Sequence, residues 1–136
     1  MPLKSGVPLA TSGLSVLVVE DDAALRGLYR SILREAGYMV LDVEDGVSAL
    51  RTLETHVPAA VVLDLALPRL DGRDVHREMQ SHADTRDIPV IIVTGHDTSD
   101  LNEKEFACVL RKPLHPDRLV SAVQDCIKRK RPGLSL

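Results

Sequence analysis

The chain has 136 residues, enough for one compact domain and too few for two ordinary ones. Leu, Val and Ile number 20, 16 and 5, ample for a core, whereas Tyr29, Tyr38 and Phe106 are the only aromatics, too few for base-stacking platforms or methyl-lysine cages. Basic and acidic residues number 17 and 20, for a net charge of -3, which implies neither general attraction to nucleic acid nor a disordered acidic tail.

Residues 1–13 carry two Pro and two Gly and read as a flexible leader without a signal-peptide pattern. Ser15-Val16-Leu17-Val18-Val19 is apolar on both faces, as a strand covered from both sides must be, and the acidic turn Glu20-Asp21-Asp22 follows it. Leu25, Leu28, Tyr29, Ile32, Leu33 and Ala36 then repeat at helical spacing, and Gly37 stands where a left-handed cap belongs. Residues 38–43 form a second strand. Asp45 is placed to cap a helix holding Val47, Leu50 and Leu53, which stops before Pro58. Residues 59–63 make a third buried strand ending at Asp64. A turn-rich loop with Pro68, Asp71 and Gly72 leads to a helix near residues 74–81. Residues 89–94 are the fourth strand, and the fourth helix is short, about two turns over residues 98–105. Residues 107–110 form the fifth strand, and Pro116 opens a last helix carrying Leu119, Val120, Val123 and Ile127. The basic run Lys128–Arg131 complements that helix's dipole.

Strands and helices in alternation predict an α/β fold, a doubly wound five-stranded parallel sheet with helices on both faces. In such sheets ligands sit beyond the carboxyl ends of the strands. The residues there are Glu20, Asp21, Asp64, Thr94 and Lys112. Any one alone reads as a cap or turn residue; together at one edge they form a site. Carboxylates that share a crevice repel unless a counter-ion is present, and a hard divalent ion such as Mg2+ (or Mn2+) relieves them. With the Lys112 ammonium and the Thr94 hydroxyl, the set suits an arriving phosphoryl group, and a central carboxylate is itself a competent nucleophile.

The blocks Val16–Asp22, Val61–Gly72, Ile88–Gly95 and Arg111–Leu114, in this order and spacing, resemble the receiver domain of two-component response regulators over residues 14–127. The resemblance implies the flavodoxin-like strand order 2-1-3-4-5, the order that the family's chemotaxis member exemplifies. It implies Asp64 as phospho-acceptor and direct Mg2+ ligation by Asp21. Glu20 would act through a bound water, and Ala66 would offer its backbone carbonyl. Thr94 and Lys112 would contact the phosphoryl group, the Lys112–Pro113 peptide would be cis, and Gly72 would serve the loop turn. The implied donor is a phosphohistidine on a sensor histidine kinase or phosphotransfer protein.

Two departures concern output. The family's inward-turning Tyr or Phe, three residues before the lysine, is Val109 here, which has no ring to swing. Phe106, three residues earlier, could substitute for it, but an ordinary core role is the expectation. Only 18 steps separate Thr94 from Lys112, so the shortened segment falls in the face that partners read. His96 is a candidate for dephosphorylation, with a solvated loop role as the plain alternative. His56, His76, His82 and His115 read as surface residues.

A haloacid-dehalogenase-like phosphatase is disfavoured, because its second Asp would fall at Ala66, so no turnover enzyme is expected. A dinucleotide-binding domain lacks its glycine motif. A receiver-like module working without phosphate, or a receiver cut from a hybrid histidine kinase, are the alternatives. The expected organisation is a leader (1–13), a receiver (14–130) and a tail (131–136) too short for a DNA-binding helix pair. No direct DNA binding and no membrane are therefore expected of it. Its output would go to an unidentified downstream protein, from a monomer or weak dimer. Apolar runs of about five or six residues and two cysteines, Cys108 and Cys126, outside any metal pattern point to the cytoplasm.

Overall fold

The computed structural model describes residues 13–95 and 101–133. Five strands, β1 (Ser15–Val19), β2 (Met39–Val43), β3 (Ala60–Leu63), β4 (Val90–Thr94) and β5 (Cys108–Arg111), form one parallel sheet in the order β2-β1-β3-β4-β5. The central strands β1, β3 and β4 are almost wholly buried, which explains their unbroken aliphatic runs.

Alternate residues of each strand feed two cores. Val16, Val18, Val62, Ile91, Val93 and Leu110 face helices α1 (Ala23–Glu35) and α4 (Pro116–Lys130). Leu17, Val19, Val61, Leu63, Val90 and Ile92 face α2 (Gly46–Thr55) and α3 (Gly72–Gln80). Each fully buried aliphatic in these layers contributes roughly 1.5–3 kcal/mol. Asp22, Asp45 and Asp71 cap α1, α2 and α3 by accepting the amides of Leu25, Ser48 and Arg73. Gly37 ends the α1 turn at φ +102°, in the left-handed region.

One expectation is corrected and another is tested only in part. Of the short helix expected over residues 98–105, residues 98–100 lie outside the described residues. Residues 101–105 make a single 3-10 turn, Glu103–Glu105, whose Asn102 side chain accepts the Lys104 amide. The chain then extends at Phe106 to enter β5. His76 is not a surface residue: it is buried, with its ring 4.4 Å from that of Phe106. Gly72, Val75, His76 and Met79 share one helical face, and that face is turned inward. Phe106 is core, packed in the α2/α3 layer. His56, His82 and His115 are exposed, whereas His96 and most of the leader lie outside the described residues.

Candidate functional site

Parallel pairing delivers the predicted residues to one edge. Each ladder runs one residue past its strand: the Glu20 amide donates to the Val43 carbonyl (3.1 Å), Asp64 to Val19 (3.1 Å) and Lys112 to Thr94 (3.0 Å). Glu20, Asp64 and Thr94 are therefore fixed by the sheet itself, and all three are buried. Asp21 stands exposed at the rim.

Lys112 joins the two buried carboxylates. Its Nζ donates to Glu20 Oε1 at 2.6 Å and to Asp64 Oδ2 at 3.0 Å. The other carboxylate oxygens take backbone donors, Glu20 Oε2 from the Asp22 amide (3.1 Å) and Asp64 Oδ1 from the Ala66 amide (3.1 Å). Burial raises the Glu20 pKa above the ordinary carboxylate value, and the Asp64 charge adds to this against the pull of Lys112. Burial works to lower the Lys112 pKa, but hydrogen bonds to Glu20 and Asp64 outweigh it and the net shift is upward. The ammonium therefore stays charged throughout the physiological range. The Lys112–Pro113 peptide that aims this side chain is cis.

The β3–α3 loop packs tightly around Asp64. The Gly72 amide donates to the Leu65 carbonyl at 2.9 Å, and a Cβ on Gly72 would lie 2.7 Å from the Leu65 Cα. Arg69, at φ +68°, reaches Asp45 at 3.4 Å and ties the loop to the α2 cap. Val109 is not in the pocket. It is half-buried beside Ile92 and packs against the α2/α3 layer.

The family model for the response regulator receiver domain matches residues 16–124. The chain belongs to the response regulator receiver family. Relatives at comparable distance agree with this. Response regulator MprA of Mycobacterium sp. (strain KMS) is 35% identical over 124 residues, 86% of this chain but 52% of that protein. The chain thus spans about half the length of the curated relatives it matches. Among solved structures, the receiver domain of a sensor histidine kinase from Pseudomonas aeruginosa PAO1, crystallised with magnesium in its active site cleft, superposes with a TM-score of 0.76. It is 30% identical, and the match covers 85% of this chain and 98% of that one. A response regulator receiver domain protein from Clostridium thermocellum gives 0.78 at 28% identity, over 88% and 98%.

This receiver has the donor set that Mg2+ requires. One carboxylate oxygen from each of Glu20, Asp21 and Asp64 falls within a 4.8 Å cluster, two buried and one exposed. Three hard oxygen donors with one open side suit an ion that keeps several waters. Among the described residues Lys112 is the cation paired with the two buried carboxylates, which leaves an excess of negative charge that a divalent cation would balance.

Sequence reasoning did not single out Arg26. Its Nη1 donates to the Glu20 carbonyl at 2.9 Å, directly behind the acidic turn. No local pattern marks it, because its other partner, Asp42, comes from β2.

Proposed function

We propose that this receiver accepts a phosphoryl group onto Asp64 from a phosphohistidine of a sensor histidine kinase or phosphotransfer protein. A carboxylate oxygen of Asp64 attacks phosphorus as the P–N bond breaks. The electron pair leaves with the imidazole, which takes up a proton. Asp21, Asp64, the Ala66 carbonyl and, through water, Glu20 would hold Mg2+, which when bound would supply positive charge to the phosphoryl oxygens. Lys112 offers its ammonium to a second phosphoryl oxygen and Thr94 its hydroxyl to a third. Loss of the group is hydrolysis of the acyl phosphate, and Ala66 and Gly95 are too small to shield it. Residues 14–130 act as the phosphorylated unit, in the cytoplasm.

The observation that carries this reading is the Lys112 bridge between two buried carboxylates at the strand ends. A chain that no longer used phosphate would gain nothing by burying that charge set. The test is incubation with Mg2+ and acetyl phosphate, followed by intact-mass measurement. The wild type gains one acid-labile phosphoryl group and Asp64→Asn gains none; no increment on the wild type overturns the proposal.

Output passes to another protein through an atypical face. With Val109 at the switch position and a 3-10 turn before β5, no aromatic ring reports the state of Thr94. The segment 101–111 itself carries the change. Beryllofluoride binding shifts the amides of residues 101–111, and unchanged shifts there sink this part of the reading.

A further inference from the structure

We infer that Arg26, anchored by Asp42, is a positioning residue that holds the acidic β1–α1 turn in its metal-binding shape. The inference rests on the Mg2+ reading of the pocket and goes beyond it, since neither residue touches the metal-ligand oxygens.

Arg26 lies in the first turns of α1, four residues before Arg30 on the same face. That face looks onto β2, where Asp42 points toward α1 beside the buried Val40. Arg26 Nη1 donates to the Glu20 carbonyl at 2.9 Å and approaches the Asp21 carbonyl at 3.4 Å. Its Nε lies 3.4 Å from Asp42 Oδ2, and Arg30 Nη1 reaches the same oxygen at 3.1 Å. The Arg26 and Asp42 side chains are only 19% and 20% exposed, so water competes poorly for this contact.

The main chain of Glu20 is thus held from both sides by β2: its amide by the Val43 carbonyl, and its carbonyl through Arg26 and Asp42. The planar guanidinium fork, with its five fixed donors, suits bridging two carbonyls and a carboxylate in this way. It points at carbonyls, not at Glu20 or Asp21 carboxylates. It therefore fixes where the carboxylates stand without neutralising them.

Charge and position predict opposite signs, which makes the inference testable. Arg26 places a positive charge beside a cation site, so on Coulombic grounds alone its removal tightens Mg2+ binding. If its work is positioning, removal loosens binding, by roughly tenfold on the scale seen when a partner of a metal ligand is lost. The experiment titrates the 136-residue chain with Mg2+, with no phosphoryl donor, and follows the amide shifts of Glu20, Asp21, Asp22 and Asp64. Urea unfolding confirms that each variant is folded.

Arg26→Gln is expected to weaken Mg2+ binding by roughly tenfold and to speed hydrogen exchange at the Asp22 amide in metal-free protein. Arg30→Gln removes an equal charge from the same cluster but touches neither carbonyl. Its Mg2+ affinity should stay the same or rise slightly. Arg26→Lys keeps the charge and loses the fork, so it should also weaken binding, and it decides the matter if Arg26→Gln does not fold. Unchanged or tighter binding in a folded Arg26 variant overturns the inference. Failure of the wild type to bind Mg2+ at these amides overturns the metal reading instead.

Discussion

The strand-end pocket and the β4–β5 connection are built on opposite principles. In the pocket each charged group is fixed several times over: Glu20 by Lys112, by the Asp22 amide and by the Val43 carbonyl, and Asp64 by Lys112, Ala66 and the β1 ladder. The described part of the connection has one 3-10 turn and a single large buried anchor, Phe106, resting on His76. The pocket buries charge and holds it at many points, whereas the described part of the connection is held at few. On the reading proposed above, the pocket would serve as the preorganised reaction site and the connection as the segment of lower local stability that answers to it.

Removing the anchor is the hardest blow to the connection. Phe106→Ala should cost about 3 kcal/mol of unfolding free energy, read from the urea midpoint, because it empties a packed position in the α2/α3 layer. If the two regions are energetically separate, Mg2+ affinity at the pocket stays at the wild-type value. A matching loss of Mg2+ affinity would join the two regions into one unit.

Gly72→Ala attacks the pocket side. The new Cβ would meet the Asp64 carbonyl and the Leu65 Cα, both backbone, so the loop or α3 must shift. We expect a loss of about 2–3 kcal/mol, typical of overpacking, together with slower phosphorylation by acetyl phosphate. An Ala variant of normal stability that phosphorylates at the normal rate would show the loop to be less rigid than its packing indicates.

The pocket was also the more legible region. Strand ends follow from aliphatic runs and caps, and parallel pairing then fixes which residues meet. Glu20, Asp21, Asp64 and Lys112 could thus be placed together before any coordinates. Long-range side-chain choices were not legible. Arg26 could be read as solvent-facing until β2 was seen to offer Asp42, a partner 16 positions away. His76 was misread for a different reason. Its residue type suggested surface, although its spacing from Gly72, Val75 and Met79 already placed it inward. In the described part of the β4–β5 segment, residues 101–105 make only a 3-10 turn because they have no apolar periodicity to bury.

A smaller effect tests the electrostatic cost of the pocket. Folding raises the Glu20 pKa, mainly through burial, so the stability tied to its protonated form is present below about pH 4.5 and lost as pH rises through the folded-state value. At pH 7 burial opposes the ionised group, while its hydrogen bond to Lys112 favours it. Glu20→Gln removes the charge and keeps one oxygen, which accepts from Lys112 or from the Asp22 amide but not from both, because these donors use different carboxylate oxygens. We expect relief of the buried charge to outweigh that lost acceptor: in metal-free buffer the variant should have a higher urea midpoint than wild type at pH 7, an advantage that shrinks toward pH 4, and Mg2+ should bind it more weakly. A lower midpoint at pH 7 would mean that the Lys112 pair outweighs desolvation.

The smallest effect belongs to the connection. Burial lowers the His76 pKa below its ordinary 6.5, against the opposing influence of the Glu105 charge and a hydrogen bond to the Glu105 backbone. Above pH 6.5 the imidazole is neutral in both folded and unfolded chains and exerts no pH dependence. As pH falls through 6.5 the unfolded chain takes up the proton first, so stability is lost until pH passes below the folded-state value. His76→Gln stays neutral and retains a donor for the Glu105 carbonyl. Its urea midpoint should therefore fall less than that of the wild type between pH 7.5 and 5.5. The amides of residues 101–106 should also keep slower hydrogen exchange in the variant at the lower pH. Equal losses in the two proteins would mean that the connection yields enough to hydrate His76 on protonation, and that the His76–Phe106 contact is softer than the packed ring pair implies.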